Sequence, residues 1–139
     1  MLPKKIIVQT VNAAYFVGAP IFSKGGFLTV NQHAGTAIDF YNIRYFKQGN
    51  SVYNNWKTLF SVAGGWATGT SVNELVAKGV DRNKIVVAKT TTIGDGDPAA
   101  FVPAGQLSAI FEEEFKATGW KTGLMLYEFA SDLDGRIIK

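Results

Sequence analysis

The chain has 139 residues, 47% hydrophobic and 18% charged; it is long enough to bury a core, and we expect a single domain over residues 1–139. Its 14 basic and 11 acidic residues are interleaved and leave a net charge of +3, which argues against a nucleic-acid partner. The absence of cysteine excludes disulfides and thiolate metal sites. No apolar run is long enough for a membrane span or a signal peptide, so we expect no membrane partner and leave the compartment open.

The predicted strands and helices alternate along the chain. Short segments rich in apolar, mostly β-branched or aromatic, residues predict buried strands at 5–8, 38–46, 84–88 and 123–129. Apolar spacing predicts helices at 27–37, 54–62 and 104–118. A further helix begins after Ser71, which forms a capping-box pattern with Glu74, and ends at Gly79. This alternation predicts an α/β fold with a parallel sheet and right-handed crossovers.

The helix at 104–118 has the clearest amphipathic pattern. The residues on its predicted buried face are Leu107, Ile110, Phe111 and Phe115. Three consecutive glutamates at 112–114 are expected to lie outside, as a solvated helix face.

Four blocks of sequence carry a resemblance to a known family. They read Phe27-Leu-Thr-Val-Asn-Gln, Ile38-Asp-Phe-Tyr-Asn-Ile, Gly79-Val-Asp-Arg-Asn-Lys-Ile-Val-Val and Gly119-Trp-Lys-Thr-Gly-Leu-Met. In order and spacing, over residues 5–134, the chain resembles the family 18 chitinases of the fungal and plant-like type. The resemblance implies four parallel βα units equivalent to strands 5–8 of a (β/α)8 barrel, a half-barrel with helices on one face.

The resemblance also indicates what is missing. In that family the catalytic acid lies in an Asp-x-x-Asp-x-Asp-x-Glu run on the fourth strand, and the substrate's own N-acetyl group is the nucleophile. No Asp-x-Asp-x-Glu occurs here, and the nearest stretches, at 95–99 and 132–136, have Ala and Arg where the Glu would stand. Glycosidic cleavage requires a positioned general acid. We therefore predict no catalytic residue in this chain and no hydrolysis by it alone.

The substrate-binding positions implied by the resemblance are degenerate. Asn12 stands where the fifth strand has a Gln. On the sixth strand, Arg44, Phe46 and Lys47 fall in the place of a Gln-Phe-Tyr-Asn run whose Tyr and Asn hold the N-acetyl group. Tyr127 replaces the Trp that forms the floor beneath the sugar ring. These exchanges predict weak binding of N-acetylglucosamine units.

A shifted alignment of the sixth strand is the alternative. Tyr41 and Asn42 resemble the Tyr-Asn pair of the family but lie a few residues too early along the strand. If they occupied the site, the polar contacts to the N-acetyl group would be retained.

Three aromatic residues are further candidates for sugar contacts: Tyr15, Phe16 and Trp66. Aromatic rings stack well on sugars because they combine an apolar face with a polar edge. For Trp66, packing in the core or a loop is the competing interpretation.

Arg44 requires a counter-charge if it is buried, because an unpaired buried charge is costly. Glu128 and Asp39 are the candidates for a core ion pair. The competing hypothesis is a residual site for an anionic or sugar ligand.

No cofactor or metal is predicted. The only histidine, His33, lacks partners for a metal site or for catalysis, and the glycine-rich stretch at 94–97 lacks the lysine of a phosphate-binding loop.

Three hypotheses for function follow. The first is a non-catalytic chitinase-like domain with weak binding of chitin oligosaccharides. The second is the C-terminal portion of a chitin-hydrolysing glycosidase whose acid lies in a separate N-terminal half. The third is a structural remnant without a ligand. The open strands at both ends of the predicted sheet suggest a homodimer or a complementary N-terminal half-barrel as partner.

Overall fold

The computed structural model describes residues 5–18 and 21–132, with the side chain of residue 129 left out. Four parallel strands form one sheet in the order β1-β2-β3-β4, which follows the chain. Their bounds are Val8–Asn12 for β1, Phe40–Arg44 for β2, Ile85–Thr90 for β3 and Leu124–Tyr127 for β4. The predicted α/β fold with four parallel strands is confirmed.

Helices connect the strands on one side of the sheet. Helix α1 spans Gly26–Ala34, α2 spans Val72–Ala77 and α3 spans Ala104–Thr118, and a short π-helical segment covers Lys57–Ser61. The capping box predicted at Ser71 and Glu74 is present, with both of its hydrogen bonds. The predicted bounds of α3 are confirmed, and the helix ends at Gly119, which has the positive φ of 75° typical of a helix stop.

Several predicted bounds are wrong by a few residues. The first strand lies at Val8–Asn12 rather than 5–8, because its pairing with β2 begins at Val8 opposite Phe40. Ile6 and Ile7, which suggested the earlier strand, are 72% and 49% exposed. Strand β3 continues two residues beyond the predicted end at Ala88, because its parallel pairing with β4 extends to Thr90.

The core lies between the sheet and its helices. Alternate residues of a strand point to opposite faces, and in β2 the fully buried Tyr41 and Ile43 point toward the helices. They share one cluster with side chains from all the connecting segments, including Phe16, Leu59, Phe60, Leu75, Leu107 and Trp120. The shifted alignment of the sixth strand is therefore wrong for Tyr41, a core residue that donates a hydrogen bond to Asn31. Asn42, the other residue of that alignment, points to the opposite face of the sheet.

Two predictions for helix α3 are also wrong. Glu114 is fully buried, whereas Phe115 is 54% exposed. Glu114 lies seven residues after Leu107 and so on the same face of the helix. Its carboxylate accepts hydrogen bonds from Arg82, Trp56 and Thr118, at 3.2, 3.1 and 2.7 Å. A buried charge with this many donors is satisfied, so the position tolerates Glu within an otherwise apolar face.

Candidate functional site

One face of the sheet carries no described helix, and we call it the inner face. The register aligns Asn12 with Arg44, Arg44 with Ala88, and Thr90 with Tyr127. Aligned residues of parallel strands point to the same side, so they form rows across the inner face. Its described members are Val8, Thr10, Asn12, Phe40, Asn42, Arg44, Phe46, Val86, Ala88, Thr90, Met125 and Tyr127.

Two aromatic residues meet near the carboxyl ends of the strands. The rings of Phe46 and Tyr127 lie edge to face, with centroids 5.5 Å apart. Tyr127 keeps 36% of its surface exposed, and Phe46 is half-buried. The sequence-predicted positions on the sixth and eighth strands are thus brought together in one exposed aromatic pair.

Asn12 and Arg44 form the row next to this pair. They are opposite each other in the register of β1 and β2, and both are half-buried. Among the described inner-face residues, Arg44 alone is charged. Its Nε atom is buried without a hydrogen-bond partner.

The expected ion pair of Arg44 is not formed. Among the described residues, Arg44 has no salt bridge with either Asp39 or Glu128. Asp39 lies before β2, at the opposite end of the strand from Arg44, and accepts a hydrogen bond from the backbone amide of Ile7. Glu128 is exposed and has a positive φ of 65°.

Thr90 is a further inner-face residue that the sequence prediction missed. It is only 4% exposed, and its Oγ1 atom is buried without a partner. Thr90 was overlooked because the predicted strand ended at Ala88, which left it in a loop. The alternation of Lys89 and Thr90 along β3 would have placed it on the inner face, had the strand been predicted two residues longer.

Lys47 does not contribute to this face. Its ammonium group pairs with Asp97 at 2.8 Å, which links the loops that follow β2 and β3. The Lys47 hydrogen bond, with that from the Ala99 amide, lowers the pKa of Asp97. Asp95, in the same stretch, accepts a hydrogen bond from Ser131 at 2.7 Å, so both acids already have partners within the chain. The other stretch that is similar to Asp-x-Asp-x-Glu is 132–136, and its residues 134 and 136 lie outside the described residues.

The three aromatic candidates outside the strands separate into different environments. Phe16 is fully buried against Phe27 and Tyr41, so its predicted contact with sugar is wrong. Tyr15 is 42% exposed, but its ring packs on Phe27 of helix α1 rather than on the inner face.

Trp66 belongs to a separate loop. Its indole nitrogen donates to the Gln48 carbonyl at 2.9 Å, and its backbone amide donates to Asn50. Gly49, with a φ of 58°, passes directly beneath the indole, and a Cβ atom there would lie 3.0 Å from the indole nitrogen. These contacts favour loop packing over a role in the inner-face site.

A buried lysine lies on the opposite side of β3. Lys89 is fully buried and donates to the Tyr45 and Tyr53 carbonyls at 2.8 and 3.0 Å. Burial lowers its pKa to about 8, because the charged form is less well solvated there than in water. Lys89 points toward the helices and therefore cannot contact a ligand on the inner face.

The described residues contain neither a metal-binding cluster nor a membrane-spanning helix. Within residues 5–18 and 21–132, no cluster of three or more His, Asp or Glu side chains has the geometry to hold a metal ion. In the same residues, no helix is sufficiently long and apolar to cross a bilayer.

The sequence matches no protein-family model and no curated protein. Solved structures, however, share its fold. A family 18 chitinase from Pseudoalteromonas aurantia matches with a TM-score of 0.74 and 16% identity, over 98% of this chain and 45% of that one. A fungal endo-β-N-acetylglucosaminidase of family 18 matches with a TM-score of 0.68 and 21% identity, over 97% of this chain and 42% of that one. A chitinase from Aspergillus fumigatus matches with a TM-score of 0.61 and 20% identity, over 89% of this chain and 39% of that one.

These matches are to proteins of the family that the sequence motifs resemble. At 16 to 21% identity they show the fold, which is that of part of a family 18 (β/α)8 barrel. The chain spans less than half the length of each of these structures.

Proposed function

We propose that this chain is a non-catalytic chitinase-like domain that binds N-acetylglucosamine oligosaccharides weakly on the inner face of its sheet. The observation that carries the proposal is the pair formed by Phe46 and Tyr127, 5.5 Å apart and open to solvent on the Tyr127 side. Sugar sites are commonly built from such rings, with a few polar groups beside them. Asn12 and Arg44 supply those polar groups in the neighbouring row.

Weak rather than tight binding is expected from the same residues. A site that hydrogen-bonds an N-acetyl group gains specificity from polar side chains placed against it. Phe46 has no hydroxyl to offer, and Lys47 is paired with Asp97. Stacking on the aromatic pair is then the main source of affinity.

The proposal that this chain is non-catalytic rests on the state of Asp95 and Asp97, the two acids of the described stretch most similar to the catalytic run. Asp95 and Asp97 are held by Ser131 and Lys47, and the pKa of each is lowered rather than raised. A general acid near neutral pH requires the opposite shift, which keeps the carboxyl group protonated.

Thermal unfolding with and without N-acetylglucosamine tetramer tests this function. At about 100 times its Kd a ligand stabilises the native state by roughly 2.7 kcal/mol, which raises the midpoint by several degrees. Tyr127→Ala should abolish the rise, while Tyr15→Ala, which removes an exposed tyrosine on the helix side, should preserve it. A cooperative transition that the tetramer leaves unchanged would favour the structural remnant without a ligand.

A second candidate, half of a chitin-hydrolysing glycosidase, is favoured by the two edges of the sheet. Among the described residues, β1 and β4 each pair with one strand only. Ile6 and Ile7, just before β1, are exposed; Leu124 of β4 and Phe115, which line one shallow cavity, are 36% and 54% exposed. Open edges with apolar residues are prone to pairing with another strand. Homodimerisation would place two Arg44 side chains in one closed barrel, so a companion half with carboxylates on its inner face fits better than a second copy.

Reconstitution tests the second candidate. The chain would be co-expressed with the N-terminal four βα units of a family 18 chitinase, and hydrolysis of a chromogenic chitin oligosaccharide would be measured. Activity only in the assembled pair, lost when the Glu of the companion's fourth strand is changed to Gln, would support it. An assembled pair without activity would contradict it. Sedimentation of the chain alone reports whether it forms a homodimer instead.

A further inference from the structure

The strongest unexplained feature of the inner face is the charge of Arg44. Its guanidinium has five N–H donors and no acceptor, and its Nε–H is buried without a partner. No described member of the inner face has a carboxylate. The side chain as a whole is half-buried, and none of the described carboxylates pairs with it, so this position is complementary to an anion that the described part of the chain does not supply.

The surroundings of Arg44 indicate the kind of anion. A guanidinium prefers planar oxyanions that accept two parallel hydrogen bonds, and a carboxylate is the commonest of these. Asn12, aligned with Arg44 on the adjacent strand, adds an amide that can donate or accept. Together, Arg44 and Asn12 therefore suit a ligand that carries hydroxyl or amide groups beside its anionic group.

The distance to the aromatic pair indicates the size of the ligand. Tyr127 lies two strands and one inner-face row away from Arg44. With about 4.8 Å between strands and about 3.3 Å per residue, the two Cα atoms are roughly 12 Å apart. A ligand that covers both positions is thus longer than one sugar ring, which suits an oligosaccharide.

We propose that the inner face selects acidic oligosaccharides, with a uronic acid carboxylate bound by Arg44 and a neighbouring sugar ring stacked on Tyr127. This inference rests on the proposed sugar-binding function and narrows its ligand class. An acidic ligand accounts for the charge of Arg44, because a neutral sugar would need only uncharged hydrogen-bonding groups at that position.

Calorimetric titration of the whole chain with three matched ligands tests the selection. The probes are a tetrasaccharide that alternates glucuronic acid with N-acetylglucosamine, the same tetrasaccharide with its carboxyl groups methyl-esterified, and N-acetylglucosamine tetramer. At low salt the acid should bind about tenfold tighter than its ester, since hydrogen bonds to charged groups are stronger than neutral ones. The preference should fall as salt is added.

Two charge-matched variants locate the selection. Arg44→Gln should reduce the acid-to-ester ratio to about one, while Lys121→Gln removes the same charge from an exposed position away from the inner face and should leave the ratio unchanged. Circular dichroism and the thermal midpoint establish that both variants are folded. Equal binding of acid and ester by the unmodified chain, or an equal loss in the two variants, would overturn the acidic selection and leave neutral sugar binding standing. Failure of the folded chain to bind any of the three probes would overturn the sugar-binding function as well.

Discussion

The two faces of the sheet differ in whether their charged side chains are paired. On the helix side, Lys89 donates to two carbonyls and Glu114 accepts from several donors, although both are fully buried. On the inner face, Arg44 Nε and Thr90 Oγ1 are buried without partners, and Tyr127 is exposed. Buried polar groups in folded proteins are nearly always paired. The helix side also holds two buried atoms without partners, Tyr45 Oη and Gln9 Oε1. The contrast is therefore one of charge and exposure: the buried charges of the helix side are paired, whereas Arg44 on the inner face is not.

The largest expected effect comes from a matched pair of aromatic truncations. Phe60 is fully buried against Phe111 and Trp120 on the helix side, whereas Phe46 is half-buried on the inner face. Phe60→Ala should lower the free energy of unfolding by about 3–5 kcal/mol, since it leaves a cavity in the core. Phe46→Ala should cost only about 1–2 kcal/mol, because less apolar surface is removed from water there. Urea denaturation of both variants measures the difference, and equal losses would contradict a two-sided sheet of this kind.

A second pair tests the buried carboxylate of helix α3. Glu114→Gln keeps the shape of the side chain but removes the charge that faces Arg82, and it turns one acceptor into a donor. We expect a loss of about 2–3 kcal/mol, moderated because Arg82 is 27% exposed. Glu112→Gln, in an exposed pair with Lys116, should leave the unfolding midpoint nearly unchanged, because solvent screens the pair. Similar unfolding midpoints for the two variants would argue against the Glu114 network.

The buried Lys89 predicts an alkaline rise in stability. Its folded pKa of about 8 lies below the value of about 10.4 in an unfolded chain. Between these values the unfolded chain binds more protons than the native one, so the free energy of unfolding rises with pH. The rise should reach about 2 kcal/mol between about pH 8 and about pH 10.

Other groups near Lys89 limit this window. Burial raises the pKa of Tyr45 and Tyr53, and the nearby charge of Glu74 adds to the rise. Above about pH 10 their deprotonation in the unfolded chain lowers stability again. Urea denaturation across the pH range should show the rise in the unmodified protein and not in Lys89→Met. A rise that persists in the variant would assign it to another group.

The smallest expected effect is at Arg44. Replacement of an unpaired, half-buried arginine by Met keeps the apolar stem and removes the unsatisfied donor. Arg44→Met should therefore leave the free energy of unfolding unchanged or raise it by up to about 1 kcal/mol. A clear loss of stability would show that Arg44 has a partner within the chain, and the inner face would then resemble the helix side.

Much of the fold could be predicted because it depends on local patterns. The capping box at Ser71, the stop at Gly119 and the bounds of Ala104–Thr118 follow from backbone chemistry and apolar spacing within a few residues. Four strands separated by helices leave few arrangements other than a parallel sheet. The match to partial family 18 barrels agrees with the resemblance read from the sequence blocks.

The environment of individual side chains could not be predicted in the same way. The run of three glutamates led to the prediction that Glu114 is solvated, but hydrogen bonds from Arg82 and Trp56 satisfy its carboxylate within the core. Phe16 was expected on the surface and is enclosed by Phe27 and Tyr41, which are far from it in sequence.

The sequence by itself thus determined the order and type of the elements, the lack of an Asp-x-Asp-x-Glu run, and the residue types available near the carboxyl ends of the strands. Only the tertiary structure decided which of those residues share a face. The register placed Asn12 beside Arg44 and brought Phe46 to Tyr127, and it left Arg44 without the counter-charge that had been expected. The physical reason is that hydrogen-bond partners and burial arise from segments distant in the chain, whereas helix caps and strand periodicity arise from neighbours.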